Sequence, residues 1–333
     1  MPTRNADPRL YALQQWLQQV LDEPVQDIQV ASADASFRRY FRIFVTGGSY
    51  IAMDAPPDKE DIAPFVQIAQ CFLKFGLHVP EIYQQNAEKG FLLLSDLGDE
   101  VYLKHLRADN VEKLYGDAMD ALLLLQQGTF SNTNFLPEYD AVLLRNELEL
   151  FRDCYLVQHL QLKLEKEQNL ALDQVFGVLI QSALAQPRVF VHRDYHSRNL
   201  MLLSDHNPGI LDFQDAVLGP VTYDLVSLLR DCYISWPKKQ VENWVLGFRK
   251  QAEEVHLPVG SDAAEFLRWF DLMGVQRHLK AIGIFARLQH RDGKSGYLGD
   301  IPRTMDYVKE VSARYNALQP LLKVIRDVTE DVV

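Results

Sequence analysis

The sequence predicts an α+β chain in two parts: a small β-rich N-terminal part at residues 1–97 and a larger, mostly helical part at residues 98–333. Short apolar runs with strand character fall before residue 95, and helical periodicity dominates after it. The polar, glycine-containing stretch SDLGD at residues 95–99 separates the two and is typical of a joint. Ligand sites favour clefts between such parts.

Composition and net charge exclude several classes of protein. The chain has 333 residues, of which 47% are apolar and 24% charged, as in ordinary globular proteins. Its 34 Lys and Arg against 45 Asp and Glu give a net charge of −11, which disfavours nucleic-acid binding. No apolar run approaches the ~20 residues needed to cross a bilayer, and the N-terminus lacks the apolar core of a secretory signal. The three cysteines have no metal-site spacing. We expect a cytoplasmic monomer with free thiols and no nucleic-acid or membrane partner.

The elements of the small part follow from local signals. Asp7 and Pro8 predict the cap and first residue of a helix. The Gly47-Gly48 pair predicts a hairpin turn, and Gly76 predicts the end of a second helix. The predicted strands are 40–45, 49–53, 79–83 and 90–94, and the second helix is 62–75.

Helical spacing dominates the larger part, with one β-containing stretch at 188–213. The predicted helices are about 110–127, 140–164, 171–185, 222–234, 238–253, 262–290 and 303–327.

The β-containing stretch carries the chemistry. The sequence FVHRDYHSRNLM at residues 190–201 predicts a strand, a polar loop and a second strand. The sequence ILDFQD follows at residues 210–215, where an apolar strand again delivers a carboxylate. Phosphoryl transfer needs one carboxylate to orient the attacking hydroxyl and hard oxygen ligands for Mg²⁺. Asp194 fits the first role, and Asn199 with Asp212 fits the second.

These motifs resemble the aminoglycoside phosphotransferase-like kinases, relatives of the protein kinases. The segments FLLLSDLGD, GILDFQDAVLGPVTYDLVSLLRDCY and GVQRHLKAIGIFARL are similar to bacterial kinases that act on the anomeric hydroxyl of N-acetylmuramate and N-acetylglucosamine. The resemblance implies a bilobal protein-kinase-like fold, an ATP·Mg²⁺ cofactor and a sugar α-1-phosphate product. By analogy it also implies a place in peptidoglycan recycling.

The resemblance also implies roles for individual residues. Asp194 would be catalytic, Asn199 and Asp212 would hold the metal, and Asp224 would brace the catalytic loop. The N-lobe would bind the nucleotide through a phosphate-covering loop at 33–39 and a hinge at 95–97, and the C-lobe would carry the acceptor site. The candidate cofactor-binding residues are Ser36, Phe37, Arg38, Ser95, Asp96 and Leu97. The candidate substrate-binding residues are Tyr195, His196, Arg198, Asp215, Arg230 and Arg277.

Asp54 departs from the family pattern because it falls where the third strand normally carries a lysine. Either the strand register is shifted, or Arg38, Arg39 or Lys59 substitutes, or Mg²⁺ neutralises more of the phosphate charge. The substitution also leaves open a non-catalytic nucleotide-binding protein.

The acceptor is open as well. N-acetylmuramate carries a lactyl carboxylate, which calls for arginine or N–H donors. Arg198, Arg230, Arg277 and His278 are the candidates. An aminoglycoside, choline-like or other small-alcohol acceptor is the alternative.

Overall fold

The computed structural model describes residues 7–32, 37–131 and 133–330, which form two compact units. The smaller unit holds the described residues up to Glu100 together with Met201–Gln214. The larger unit holds the described residues of 101–200 and those from Asp215 onward. The chain therefore enters the smaller unit twice. The predicted single boundary between residues 97 and 98 does not include the return of Met201–Gln214 to the smaller unit.

The smaller unit contains one antiparallel sheet of five strands in the order β1-β2-β3-β5-β4. Its elements are α1 (Pro8–Val20), β1 (Asp27–Ser32), β2 (Arg39–Val45), β3 (Gly48–Asp54), α2 (Ala63–Lys74), β4 (Ile82–Asn86) and β5 (Phe91–Ser95). The small β-rich part is therefore confirmed. We did not predict β1, an edge strand in which Ile28 and Val30 alternate with polar residues over only four positions. Strand β4 starts after the predicted position because Pro80 has no N–H to give to a ladder.

Helix α1 begins as predicted. The Asp7 carboxylate accepts hydrogen bonds from the backbone N–H groups of Arg9 and Leu10, both at 3.1 Å, and Pro8 is the first helical residue. The apolar face of α1 packs on one face of the sheet, and this core contains Leu13, Trp16, Leu17, Phe41, Ile43, Ala52, Phe91 and Leu93. Because strand residues alternate between faces, Asp54 shares the α1 face with Ala52, and Met53 points to the opposite face.

The larger unit is mostly helical. Its helices are α3 (Tyr102–His105), α4 (Val111–Gln127), α5 (Ala141–Leu150), α6 (Lys166–Leu184), α7 (Tyr223–Leu229), α8 (Lys238–Glu254), α9 (Ala263–Asp292), α10 (Ile301–Arg314) and α11 (Gln319–Glu330). Strand β6 (Arg188–Val191) pairs antiparallel with β9 (Val217–Pro220). The short strands β7 (Leu200–Met201) and β8 (Gly209–Ile210) form a second pair. The 30-residue helix α9 is buried over most of its length and contributes five residues to the main core.

Two predicted helices are divided. The pattern at 140–164 predicts one helix, but α5 passes into a π-helix at Phe151–His159. At the junction, the backbone of Leu150 lies against Gly283. A Cβ on residue 283 would come within 2.3 Å of the Leu150 carbonyl carbon. The pattern at 303–327 is broken between α10 and α11, where Pro320 can neither donate a backbone hydrogen bond nor fit inside a continuous helix.

Among the described residues, no helix has the length and apolar character required to span a membrane.

Candidate active site

The loop between β6 and β7 brings two predicted residues together. The Asn199 side-chain amide donates to the Asp194 backbone carbonyl at 3.0 Å. The backbone N–H of His196 donates to the same carbonyl at 3.0 Å, and that of Asn199 donates to the His196 carbonyl at 2.9 Å. These bonds close the loop into a compact turn, so the carboxylate and the amide project from one fixed piece of backbone.

Asp224, in the first turn of α7, braces the start of this loop. Its fully buried carboxylate accepts hydrogen bonds from the backbone N–H groups of His192 at 2.6 Å and Arg193 at 3.0 Å. Arg193 has a φ of 77°, which a non-glycine residue adopts only when its surroundings impose it. Burial raises the pKa of Asp224 to about 7, although the two backbone N–H groups act in the opposite direction. The position of Asp224 agrees with a bracing role.

Glu147, on α5, binds two cations next to the loop. One carboxylate oxygen lies 2.6 Å from the Arg193 guanidinium and 3.0 Å from Lys280 Nζ. The other accepts from the Tyr139 hydroxyl, and from the Gln276 amide at 3.1 Å. Burial alone would raise the pKa of Glu147, but Lys280 and Arg193 hold it below its usual value. Glu147 is therefore a charged anchor within the core.

The Asp194 carboxylate is charged and open. Burial acts to raise its pKa, but the charges of Lys280, His196, Arg277 and Arg193 outweigh burial and hold the pKa at about 2. Within the described ranges, no donor bonds to this carboxylate and no cation is in ion-pair contact with it. A substrate hydroxyl can therefore hydrogen-bond to a carboxylate that stays ionised at neutral pH.

Asp212, the second predicted metal ligand, lies in the smaller unit directly after β8. Its φ of 62° is again left-handed, and its side chain is exposed. The next residue, Phe213, is fully buried, with ring centroids 4.8 Å from Phe65 and 5.4 Å from Phe72. The buried phenylalanine fixes the backbone from which Asp212 projects, and the Gln214 amide donates to its carboxylate at 2.7 Å.

The donor set suits magnesium. Asn199 carries an amide oxygen and Asp212 a carboxylate oxygen, which are the hard donor types that Mg²⁺ prefers. Mg²⁺ usually takes one or two protein oxygens and completes its shell with phosphates and water. Over the residues that the structure describes, no three His, Cys, Asp or Glu side chains form a metal cluster. The role of Asn199 and Asp212 as metal ligands stays a prediction.

The side chain of Asp96, in the predicted hinge, is hydrogen-bonded to residues of the smaller unit. Its carboxylate accepts from Arg42 at 2.7 and 3.1 Å, from the Ser49 hydroxyl at 2.7 Å and from the Gly98 backbone N–H at 2.9 Å. Burial opposes ionisation, but these donors hold its pKa below the usual value. Asp96 therefore ties β2 and β3 to the hinge, which leaves its backbone as the part that a nucleotide can meet.

Ser95 and Leu97 complete the predicted hinge. The Ser95 backbone N–H donates to the Glu81 carbonyl, and its hydroxyl accepts from the Glu81 N–H, both at 2.9 Å. Beside the hinge lies a cavity of about 350 Å³ within the smaller unit, lined by His78, Glu81, Tyr83, Ser95, Asp96, Leu97, Leu203, Ser204 and Asp205.

The phosphate-covering loop is described in part. Ser36 lies outside the described residues. Phe37 is 62% exposed, so its ring is not held in a core. The Arg38 guanidinium pairs with Glu60 at 3.0 Å and is mostly buried. The ion pair with Glu60 therefore fixes the position of the Arg38 side chain.

The structure accounts for Asp54. The side chain is fully buried on the α1 face of the sheet and accepts from Arg9 Nε at 2.7 Å and Arg39 Nε at 3.0 Å. Strand alternation places Met53 on the other face. Asp54 therefore anchors α1 to the sheet, and its charge is neutralised by two arginines. It gives no ground for a disabled nucleotide site.

Two of the side chains predicted to bind substrate have partners within the protein. Tyr195 is fully buried, and its hydroxyl donates to the Ala118 carbonyl at 2.8 Å, so it anchors the loop to α4. Arg230 is buried and paired with Asp271 at 2.6 Å. Sequence spacing gave no information on which way either side chain points.

The remaining acceptor candidates differ in exposure. The Arg198 guanidinium lies 3.6 Å from the centre of the Tyr233 ring and 3.8 Å from Asp300. The His196 ring meets Tyr233 edge-on at 5.3 Å, and burial lowers the pKa of this histidine. Asp215 is exposed.

Arg277 is 5% exposed. Its NH1 atom lies 3.9 Å from Cys232 Sγ, and its Nε has no hydrogen-bond partner.

Sequence reasoning missed Lys280 and Glu147. A signal for Lys280 was present, because residues 276–280 place four polar side chains inside a long helix that is otherwise apolar over this stretch. The sequence carried no signal for Glu147, since a glutamate in an amphipathic helix usually faces solvent.

The family model for the phosphotransferase enzyme family matches residues 27–268, which is most of the chain. The chain therefore belongs to the phosphotransferase enzyme family.

Individual relatives agree with this assignment. The chain is 47% identical over 331 residues to the N-acetylmuramate/N-acetylglucosamine kinase of Pseudomonas putida, and the match covers 96% of this chain and 97% of that protein. Among solved structures, choline kinase LicA from Streptococcus pneumoniae aligns with a TM-score of 0.64 at 11% identity, over 93% of this chain and 100% of that one. The ADP-bound aminoglycoside phosphotransferase APH(2'')-Ib aligns with a TM-score of 0.59 at 13% identity, over 92% and 99%. The two structures confirm the predicted kinase-like fold.

Proposed function

We propose that this chain is an ATP-dependent kinase that phosphorylates the anomeric hydroxyl of N-acetylmuramate and N-acetylglucosamine. The product is the sugar α-1-phosphate, used in peptidoglycan recycling. The observation that carries the proposal is the 47% identity, over nearly the full length, with a kinase named for those two sugars. The open Asp194 carboxylate supplies the reacting group that such a kinase needs.

Asp194 orients the acceptor. With a pKa of about 2 it is a weak base, so it does not remove a proton from a resting sugar hydroxyl. It accepts a hydrogen bond from the C1 hydroxyl and aligns that oxygen with the γ-phosphorus. The proton passes to Asp194 as the new O–P bond forms and the bond to ADP breaks. Rate enhancement then comes from positioning and charge stabilisation.

Asn199 and Asp212 would hold Mg²⁺, which when bound neutralises charge on the phosphate oxygens. The backbone of residues 95–97 receives the adenine, and Arg38, held by Glu60, belongs to the loop at 33–39 that covers the phosphates. Residues 1–97 act as the nucleotide-binding lobe and residues 98–333 carry the acceptor site. His196, Arg198, Asp215 and Arg277 are the acceptor residues in this proposal.

We place the enzyme in the cytoplasm as a monomer. Its three cysteines are free thiols, which suits a reducing compartment. Sedimentation at micromolar concentration tests the monomer, and a second species at twice the mass contradicts it.

The test of function is ADP release with Mg·ATP against five acceptors: N-acetylmuramate, N-acetylglucosamine, glucose, kanamycin and choline. We expect turnover with the two N-acetyl sugars alone, and a product that loses phosphate in mild acid, which marks a phosphate at C1. Turnover with kanamycin or choline alone would keep the kinase and reject the acceptor. An acid-stable sugar phosphate would reject the anomeric position.

A further inference from the structure

Three long cations from the larger unit act on Asp194, and one of them differs from the others. Lys280, Arg193 and Arg277 each lower the pKa of Asp194. Lys280 and Arg193 both pair with Glu147, at 3.0 and 2.6 Å. Among the described residues, Arg277 is in ion-pair contact with no carboxylate.

The donors of Arg277 are nearly all unused. Its Nε is buried without a hydrogen-bond partner, and NH1 reaches the weak acceptor Cys232 Sγ at 3.9 Å. Asp231 contributes to the field at Arg277 but is occupied, since its oxygens accept from the backbone N–H groups of Ser197 and Tyr233, both at 2.9 Å. Asp194 also contributes to this field, but neither carboxylate is in ion-pair contact with the guanidinium. A buried guanidinium without such a contact is unfavourable, so its remaining donors are suited to receive an anion from outside the protein.

The other candidate groups for an acidic acceptor already have partners. Arg230 pairs with Asp271 at 2.6 Å, and the buried His278 ring bonds to the Arg230 carbonyl at 2.9 Å. Arg198 is paired with Asp300 and stacked on Tyr233.

We propose that Arg277 binds the carboxylate of an acidic acceptor sugar, and so makes the difference between N-acetylmuramate and N-acetylglucosamine. This inference rests on the proposed function. The lactyl group of N-acetylmuramate carries the only carboxylate that distinguishes the two sugars, and a guanidinium fork matches a carboxylate with two parallel hydrogen bonds. N-acetylglucosamine leaves the arginine to water.

The test varies the charge on both partners. The kcat/KM is measured for N-acetylmuramate, for its neutral lactyl amide and for N-acetylglucosamine, with the wild type, Arg277→Gln and Arg277→Lys. We expect the wild type to prefer the acid over the amide by roughly 10- to 100-fold, as for one hydrogen-bonded charge pair. Arg277→Gln should lose this preference, and Arg277→Lys should keep part of it because lysine retains the charge without the fork.

The ratio between two acceptors within one variant does not depend on the folded fraction, so partial unfolding does not obscure the result. Arg268→Gln removes an exposed arginine from the same helix and should keep the wild-type ratio. Equal losses with all three acceptors would leave the acid-to-amide ratio unchanged and overturn the inference. A wild type that phosphorylates none of the three would instead reject the proposed function.

Discussion

Two carboxylates, Asp54 in the smaller unit and Asp194 in the larger, are both surrounded by cations, yet their oxygens are in opposite states. Asp54 is fully buried, and Arg9 and Arg39 donate to both of its oxygens. Asp194 lies in the field of three cationic side chains, Lys280, Arg277 and Arg193, but no described donor bonds to its carboxylate.

The difference arises from a third carboxylate. Glu147 holds Arg193 and Lys280 at ion-pair distance, so they stabilise the charge on Asp194 without occupying its oxygens. Arginines that bond to both oxygens of a carboxylate stabilise the fold but leave no oxygen for a substrate. Cations that act on a carboxylate without bonding to it keep it charged and leave its oxygens available. The two sites should therefore respond to substitution in different ways.

The largest effect is expected at Asp194. Asp194→Asn removes the acceptor for the attacking hydroxyl and should lower kcat by roughly a thousandfold, within the usual range for a proton-accepting group. ADP release with N-acetylglucosamine measures it, and thermal unfolding shows whether the variant is folded. A loss below about tenfold would mean that Asp194 does not orient the acceptor.

Glu147→Gln should destabilise the larger unit. The substitution leaves Arg193 and Lys280 buried without their shared anion, and we expect a loss of about 3 kcal/mol in the free energy of unfolding. Urea titration of the full chain measures it. Glu149→Gln, which removes the partly exposed pairing of Glu149 with Arg145 and Arg152, is the matched control on the same helix and should cost about 0.5 kcal/mol. Equal losses in the two variants would refute an anchoring role for Glu147.

Asp54→Asn should affect stability and leave catalysis nearly intact. It removes the charge that joins α1 to the sheet, and because both arginines stay partly exposed the cost should be about 1–2 kcal/mol. Urea unfolding and kcat are measured together, with the exposed Asp58→Asn as control. A kcat that collapses while the protein remains folded would place Asp54 in the nucleotide site after all.

The effect with the smallest increment, about 1 kcal/mol per pH unit, is a pH dependence at Asp224. Its pKa is about 7 in the folded protein against an ordinary value of 3.8, so between those values the folded state keeps a proton that the unfolded state releases. Its contribution to stability therefore falls as the pH rises from 4 to 7, by roughly 1 kcal/mol per pH unit. Thermal unfolding of the wild type and of Asp224→Asn across this range measures it: the stability of the variant relative to the wild type should rise with pH. A constant difference would show that the pKa is not raised.

Much of the local structure follows from short-range signals. Asp7 and Pro8 set the start of α1, and the residues of β2 and β3 set the hairpin. The π-helix after α5 and the edge strand β1 had no such signal. The first adjoins the close approach of Leu150 to Gly283, 133 residues away in sequence, and the second has an apolar–polar alternation of only four residues.

The sequence by itself determined the family and the likeness to a sugar-kinase branch, and it singled out Asp194 as the candidate reacting group, because a motif records which chemical groups are adjacent along the chain. The tertiary structure decided which side chains have hydrogen-bond or ion-pair partners within the protein. Tyr195 and Arg230 turned inward to protein partners, Asp54 paired with two arginines, and Arg277 kept its donors unused. Hydrogen bonds and ion pairs depend on distances between segments far apart in sequence, and those distances exist only after folding.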